Sequence, residues 1–210
     1  MVDMSLTCVI CKEARANRSN EICSTCADEI RDNRTRIVRI VQYDPLWTSI
    51  FEDLKHVVES QLGDLAVAVE HVGSTAVPGL AAKPIIDLDV VLVSIVNLPS
   101  VISLLGELGY FHQGDLGISN REAFGRDAND VPRLGKPRPW PLHHLYVCSQ
   151  DSRELRRHII LRDYLRANPS EASKYEALKR QLASRHRYDI DAYVDGKTAF
   201  IETILSRFSI

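Results

Sequence analysis

The sequence predicts an α+β fold: a small mixed sheet with helices around it and a helical C-terminal third, preceded by a small four-cysteine zinc knuckle or ribbon. Three observations predict it. Strand-length apolar runs at 66–72, 84–93 and 142–148 alternate with segments whose apolar residues recur every three or four positions. From Ser152 onward the chain reads as successive helices, divided at Asn168-Pro169. The first 26 residues hold four of the five cysteines and no apolar period.

Those four, Cys8, Cys11, Cys23 and Cys26, form two Cys-x-x-Cys pairs with 11 residues between them. Thiolates three positions apart can turn toward one tetrahedral ion, and a second pair closes a four-cysteine shell. Disulfides and a redox pair are the alternatives; a reduced compartment disfavours the first, and the doubled spacing disfavours the second. The expected ion is structural Zn²⁺, since four cysteine ligands leave no position for water. The boundary is placed so that 1–34 is the zinc unit and 35–210 the main domain. Cys148, in an apolar strand-like run, reads as a small core residue.

The main domain follows in order. Thr35 to Gln42 is β-branched enough for a short strand. Asp44-Pro45 starts a helix, with Trp47, Ile50, Phe51, Leu54, Val57, Val58 and Leu62 on one face. Ala66 to Val72 is a strand ending in Gly73-Ser74-Thr75, and Pro84 to Val93 is a strongly apolar strand. Pro99 to Leu108 is helical, with Gly109 as its stop. Gly114 to Pro141 reads as a long irregular segment with a short strand near Phe124. Leu142 to Cys148 returns to strand, and helices follow over Ser152 to Ala167, Pro169 to His186 and Thr198 to Phe208.

Composition narrows the function. The chain has 210 residues, 45% hydrophobic and 26% charged, the usage of a folded globular protein. A net charge of −2, from 26 Lys plus Arg against 28 Asp plus Glu, excludes a bulk polycation; nucleic acid as partner is not favoured. No apolar run is long enough to span a membrane, and the start lacks the features of a secretory signal, so a soluble cytoplasmic protein is expected.

The chemistry concentrates in Val69 to Val90. Asp87 and Asp89 stand two apart on a strand, so both carboxylates share a face while Ile86, Leu88 and Val90 point into the core. Two like charges in proximity call for a cation, and a hard divalent ion such as Mg²⁺ takes oxygen ligands. Gly73-Ser74, where a strand enters a turn, suits close approach of backbone to a phosphate. The bland alternative is two solvated acids on an exposed face.

A strand ending in Gly-Ser, followed about a dozen residues later by Asp-x-Asp on a second strand, resembles the DNA polymerase beta-like nucleotidyltransferase superfamily. More closely, His71-Val72-Gly73-Ser74-Thr75-Ala76-Val77-Pro78-Gly79-Leu80-Ala81-Ala82-Lys83-Pro84-Ile85-Ile86-Asp87 resembles the GrpB-like family. The resemblance continues through Gly109-Tyr110, Arg121 to Phe124, His143-His144-Leu145-Tyr146-Val147, Arg157-His158, Arg162 to Arg166, Tyr175 and Leu178-Lys179, covering about residues 38–208. It implies the nucleotidyltransferase fold; the four-cysteine head is not part of the common family pattern. The superfamily uses a third carboxylate on a later strand, but Leu142 to Cys148 contains no acid and offers His143 and His144 instead. Tyr146 stands where the family often has another His, and Ala123 where it has an aromatic.

The resemblance therefore implies a metal-dependent enzyme moving a nucleotidyl group from an NTP to an acceptor. Asp87 and Asp89 hold Mg²⁺, Gly73 and Ser74 grip phosphates, Lys83 and Arg121 offset charge, and a histidine replaces the absent acid. Strand alternation puts His144 with Tyr146 and Cys148 on the polar side, and His143 with Leu145 and Val147 on the core side, so His144 is expected at the site. A hydrogen-bonded core role is the alternative for His71. Arg157, His158, Arg162 and Lys179 are either ordinary salt-bridge partners or a basic wall over a triphosphate. Two other functions are carried alongside: a non-catalytic nucleotide- or phosphate-binding module, and an adaptor whose zinc unit docks protein or nucleic acid.

Overall fold

Asp44 begins the first helix by accepting the Leu46 N–H on Oδ1 at 3.0 Å, with Pro45 next in line. Helix α1 (Leu46–Leu62) buries Trp47, Phe51, Leu54, Val57, Val58 and Leu62, the three- and four-residue stripe written in the sequence. The computed structural model describes residues 37–135 and 138–208; Cys8, Cys11, Cys23 and Cys26 lie outside the described residues.

Five strands form one mixed sheet: β1 (Ala66–Val72), β2 (Ile86–Leu92), β3 (Phe111–Gly114), β4 (Arg121–Gly125) and β5 (His143–Ser149), in the order β1-β2-β5-β4-β3. Strands β2 and β5 are parallel and central; the other neighbours are antiparallel. Register sets Asp87 beside His144 and Asp89 beside Tyr146. One sheet face carries Ile86, Leu88, Val90, Leu145 and Val147 into a core with α1 and with Val101 and Leu105 of α2 (Leu98–Glu107). Helix α2 is followed by Gly109 at φ 96°, the left-handed residue that lets the chain turn back into β3.

The opposite face is covered by three C-terminal helices, α3 (Arg153–Ala167), α4 (Pro169–Arg185) and α5 (Ile190–Leu205). Ser152 caps α3 by accepting the Leu155 N–H, and Asp189 caps α5 by accepting the Ala192 N–H. This face is graded. At one end Val91 and Cys148 pack on Leu155, and burial pushes the Cys148 thiol up to about 12, an inert core thiol. At the other end stand Asp87 and His144. Val77 and Leu80 of the turn after β1 join Leu165, Tyr175 and Ile204 in a second cluster, so the turn and the helices fold as one unit.

Three expectations differ from the structure. Residues 37–42 make a single bridge, Val41 to Ala82, and no named strand, because only that pair reaches across. Strand β3 (Phe111–Gly114), between the Gly109 helix stop and the segment after Gly114, is a strand that the sequence did not predict. The short strand expected near Phe124 is β4, which antiparallel pairing holds against β5. Helix α5 starts at Ile190, not Thr198, because Asp189 caps it and Tyr193 is buried. Among the described residues no helix is long and apolar enough to cross a membrane.

Candidate functional site

A cavity of about 410 Å³ opens between the sheet face, the turn after β1 and helices α3–α5. Gly73, Ser74, Lys83, Asp87, Arg121 and His144, all singled out by sequence, line it. Asp89 does not; it is fully buried beneath it.

The turn is built around Asp87. Gly73 takes φ 70° and ψ −170°, and a Cβ placed on it would lie 2.2 Å from Asp87 Oδ2. Only glycine fits both the backbone and the carboxylate. Thr75 then ties the turn to the entry of β2, since its hydroxyl donates to the Ile85 carbonyl at 3.2 Å. Having spent its one proton there, Thr75 accepts from His71 Nε2 at 3.1 Å, which fixes the Nε2–H tautomer. His71 is also stacked on Phe51 at 4.5 Å, and burial pushes it down to about 4. It is a neutral core histidine supporting the turn.

His144 Nδ1 lies 2.9 Å from Asp87 Oδ1. Burial favours the neutral Asp87, but the hydrogen bond from His144, with the positive charge of His158 and Lys83, outweighs it and holds the carboxyl below its ordinary range. An ionised carboxylate only accepts, so Nδ1 donates and Nε2 is left toward the cavity. His143 faces the other way. Its Nε2 pairs with Tyr110 Oη at 2.6 Å inside the core, and burial keeps it well below the ordinary histidine range.

Asp89 is held by His158 of α3, whose Nδ1 lies 2.7 Å from Oδ2, while Oδ1 has no partner. Burial raises the Asp89 carboxyl, and the His158 hydrogen bond offsets only part of that. On His158, burial opposes the charge, yet the hydrogen bonds to Asp89 and Glu154 prevail and hold the ring protonated up to about 9. The Arg121 guanidinium lies over the Tyr146 ring, 4.4 Å from its centroid.

Sequence reasoning did not assign Lys197 at all, and it weighed His158 and Lys179 without committing to them. All three line the cavity. Lys179 is 2% exposed, donates to the Ala81 carbonyl at 2.5 Å, and lies over the Tyr175 ring. Burial, with Lys197 nearby, pushes its amine down to about 7; burial lowers Lys197 as well. Arg157 and Arg162 turn elsewhere, to Glu202 and to Glu70 and Asp163. Among the described residues, no group of three or more His, Cys, Asp or Glu side chains is placed to hold a metal ion.

Residues 37–207 match the family described as GrpB protein. The glutamate-rich protein GrpB of Alkalihalophilus pseudofirmus is 33% identical over 173 residues, 80% of this chain and 94% of that protein. The UPF0157 protein YqkA of Bacillus subtilis is 34% identical over 168 residues, 80% of this chain but 46% of that protein. Among solved structures, the conserved protein GrpB from Enterococcus faecalis aligns with a TM-score of 0.68 at 35% identity, over 80% of this chain and 96% of that chain.

Proposed function

This chain belongs to the GrpB family, and from that premise we propose that it binds a nucleoside triphosphate in the cavity and transfers its nucleotidyl group to an acceptor hydroxyl. The observation that carries this reading is the convergence of the Gly73-Ser74 turn, the Asp87–His144 pair and the cations Lys83, Arg121, Lys179 and Lys197 on one cavity.

The chemistry follows from the geometry. Backbone and hydroxyl at Gly73-Ser74 hold phosphate oxygens, and the surrounding cations offset the charge that grows on the leaving group. Asp87 orients the imidazole of His144, whose Nε2 takes the proton from the acceptor hydroxyl. The hydroxyl oxygen bonds to the α-phosphorus as the bond to pyrophosphate breaks, and pyrophosphate departs. Catalysis is positioning plus electrostatics. His144 thus serves as the base on a strand, β5, that supplies no carboxylate of its own.

The Mg²⁺ that the resemblance implies at Asp87 and Asp89 would have to be held by donors that are already engaged. Asp87 gives one oxygen to His144 and packs the other on Gly73. Asp89 gives one oxygen to His158 and faces no cavity with the other. A small ion that demands near-octahedral oxygen coordination and keeps several waters does not fit this set as arranged. The same arrangement favours, as a second reading, a protein that binds nucleotide without turning it over. The zinc site at Cys8, Cys11, Cys23 and Cys26 stands as a proposal on its spacing alone.

The test is direct. Each NTP is assayed for a rise in melting temperature, and labelled pyrophosphate release is followed with candidate hydroxyl acceptors. Melting shifts that disappear in Lys179→Met plus Lys197→Met support the cavity; release that survives His144→Ala removes its role as base. Binding without any release leaves the second reading.

A further inference from the structure

The poor fit for Mg²⁺ has a structural cause, and it is His158. Both ring nitrogens face carboxylates: Nδ1 lies 2.7 Å from Asp89 Oδ2 and Nε2 lies 3.4 Å from Glu154 Oε1. Carboxylates offer lone pairs, so a ring with one at hydrogen-bond distance from Nδ1 and a second within ion-pair reach of Nε2 carries a positive charge. Glu154 is itself held by Arg157 at 3.2 Å, which keeps it an acceptor.

The helix bearing this ring is fastened to β1 and to the turn after it, beside Asp89. Arg162 Nη1 donates to Glu70 at 2.6 Å and to the His71 carbonyl at 3.0 Å, and Arg166 Nε donates to the Ala76 carbonyl at 2.9 Å. Arg121 adds a second positive field at Asp89 from the β4 side. Positive protein groups thus meet the carboxylate from two sides, and although Oδ1 has no hydrogen-bond partner, it is buried, with none of the carboxylate's surface open to a hydrated ion.

We propose that the His158 imidazolium is the built-in counter-ion of Asp89, standing in for a divalent cation, so that phosphate compounds enter this cavity on protein cations alone. The ligand class rests on the phosphate reading above; the charge arrangement at Asp89 does not. It makes His158 a positioning residue, since it acts on the site through Asp89.

Two measurements on the full chain decide it. First, Mn²⁺ alone is titrated into the wild type and into His158→Ala, with bound ion read by electron paramagnetic resonance. The wild type takes no ion at this site, whereas His158→Ala, with Asp89 and Glu154 uncovered, binds it roughly tenfold tighter or more, the scale on which groups around a ligand change metal affinity. Second, the melting shift caused by inorganic tripolyphosphate is compared in EDTA and in Mg²⁺, and the two shifts agree.

One Mn²⁺ bound to the wild type and lost in Asp89→Asn overturns the proposal, as does a tripolyphosphate shift abolished by EDTA. If His158→Ala does not fold, His158→Lys keeps a cation at the position and must exclude Mn²⁺ as the wild type does. Should tripolyphosphate bind in neither condition, the phosphate reading falls, while the Mn²⁺ titration of the wild type still judges the counter-ion.

Discussion

Replacing Gly73 by alanine tests the centre of the site with a single methyl group. The position combines φ 70° with ψ −170°, a region reserved for glycine, and forcing a side chain there costs about 1–3 kcal/mol. The new Cβ would also lie 2.2 Å from Asp87 Oδ2 and 3.0 Å from its Cγ, so the carboxylate must move. Moving it breaks the charge-assisted hydrogen bond to His144, worth roughly 1.5–3 kcal/mol. The expected loss is therefore about 2.5–6 kcal/mol, a large share of the roughly 5–15 kcal/mol that holds a domain together. Gly79→Ala is the control: φ is 80°, but nothing lies within 4 Å of the added carbon, so only backbone strain remains, on the order of 1 kcal/mol. Urea unfolding at constant m-value measures both. A second arm isolates the clash, since Asp87→Ala removes the obstructing carboxylate. The double variant should be less destabilised than the sum of the singles by about 1–2 kcal/mol. Equal costs at Gly73 and Gly79, or strict additivity with Asp87→Ala, would refute the packing of the turn on Asp87.

Three further outcomes are expected. His71 titrates at about 4 in the fold against an ordinary value of 6.5, so the unfolded chain binds more protons between those limits and stability falls as pH drops through that window. His71→Gln, which keeps a donor for Thr75 without titrating, should flatten that slope by up to about 1.4 kcal/mol per pH unit in acid urea melts; an unchanged slope would place the titration elsewhere. Lys179, at about 7 against 10.5, penalises the fold most at and below neutral pH, and stability from this group rises from pH 7 toward 10.5. Lys179→Met should remove that rise while weakening tripolyphosphate binding, and a variant that binds as well as the wild type removes the lysine from the ligand site. Protein purified without a histidine tag should carry close to one zinc by elemental analysis, and zinc retained after Cys8→Ser plus Cys11→Ser would end the four-cysteine assignment.

Much of the sheet was legible because its signals are local. Two-residue alternation along Ile86–Leu92 and His143–Ser149 separates Leu88 and Leu145 from Asp87 and His144, and the β2–β5 register then sets those two polar residues side by side. Helix α1 carries a wide apolar stripe and a proline start, so its face and its first turn could be read directly. What escaped was held by tertiary pairing. Strand β3 has exposed residues over most of its length and exists because β4 offers it partners. Helix α5 extends back to Ile190 through a cap and one buried tyrosine, signals weaker than the apolar run that follows them.

The cations of the site left a different trace, and it bears on what the cavity does. Leu155, His158, Arg162 and Leu165 are spaced three, four and three apart, which puts two basic residues on the stripe of α3 that faces the sheet. Tyr175, Lys179 and Ala183 form the buried row of α4, and Lys197 follows the buried Tyr193 by four in α5. A helix that merely covers a sheet puts apolar residues at such positions, because a buried ammonium costs several kcal/mol and a leucine does not. Basic residues on the inward stripe of each of three helices are therefore the mark of charge that must be met inside. Asp89 accounts for His158, and Glu70 for Arg162. Lys179 donates to a carbonyl oxygen and Lys197 lies 4.7 Å from the Tyr193 ring centroid within the field of Asp87, so among the described residues neither amine has a carboxylate in ion-pair reach, and the charge they carry is in surplus. An anion in the cavity is what that surplus fits, and Gly73-Ser74 lies across the same space to receive it.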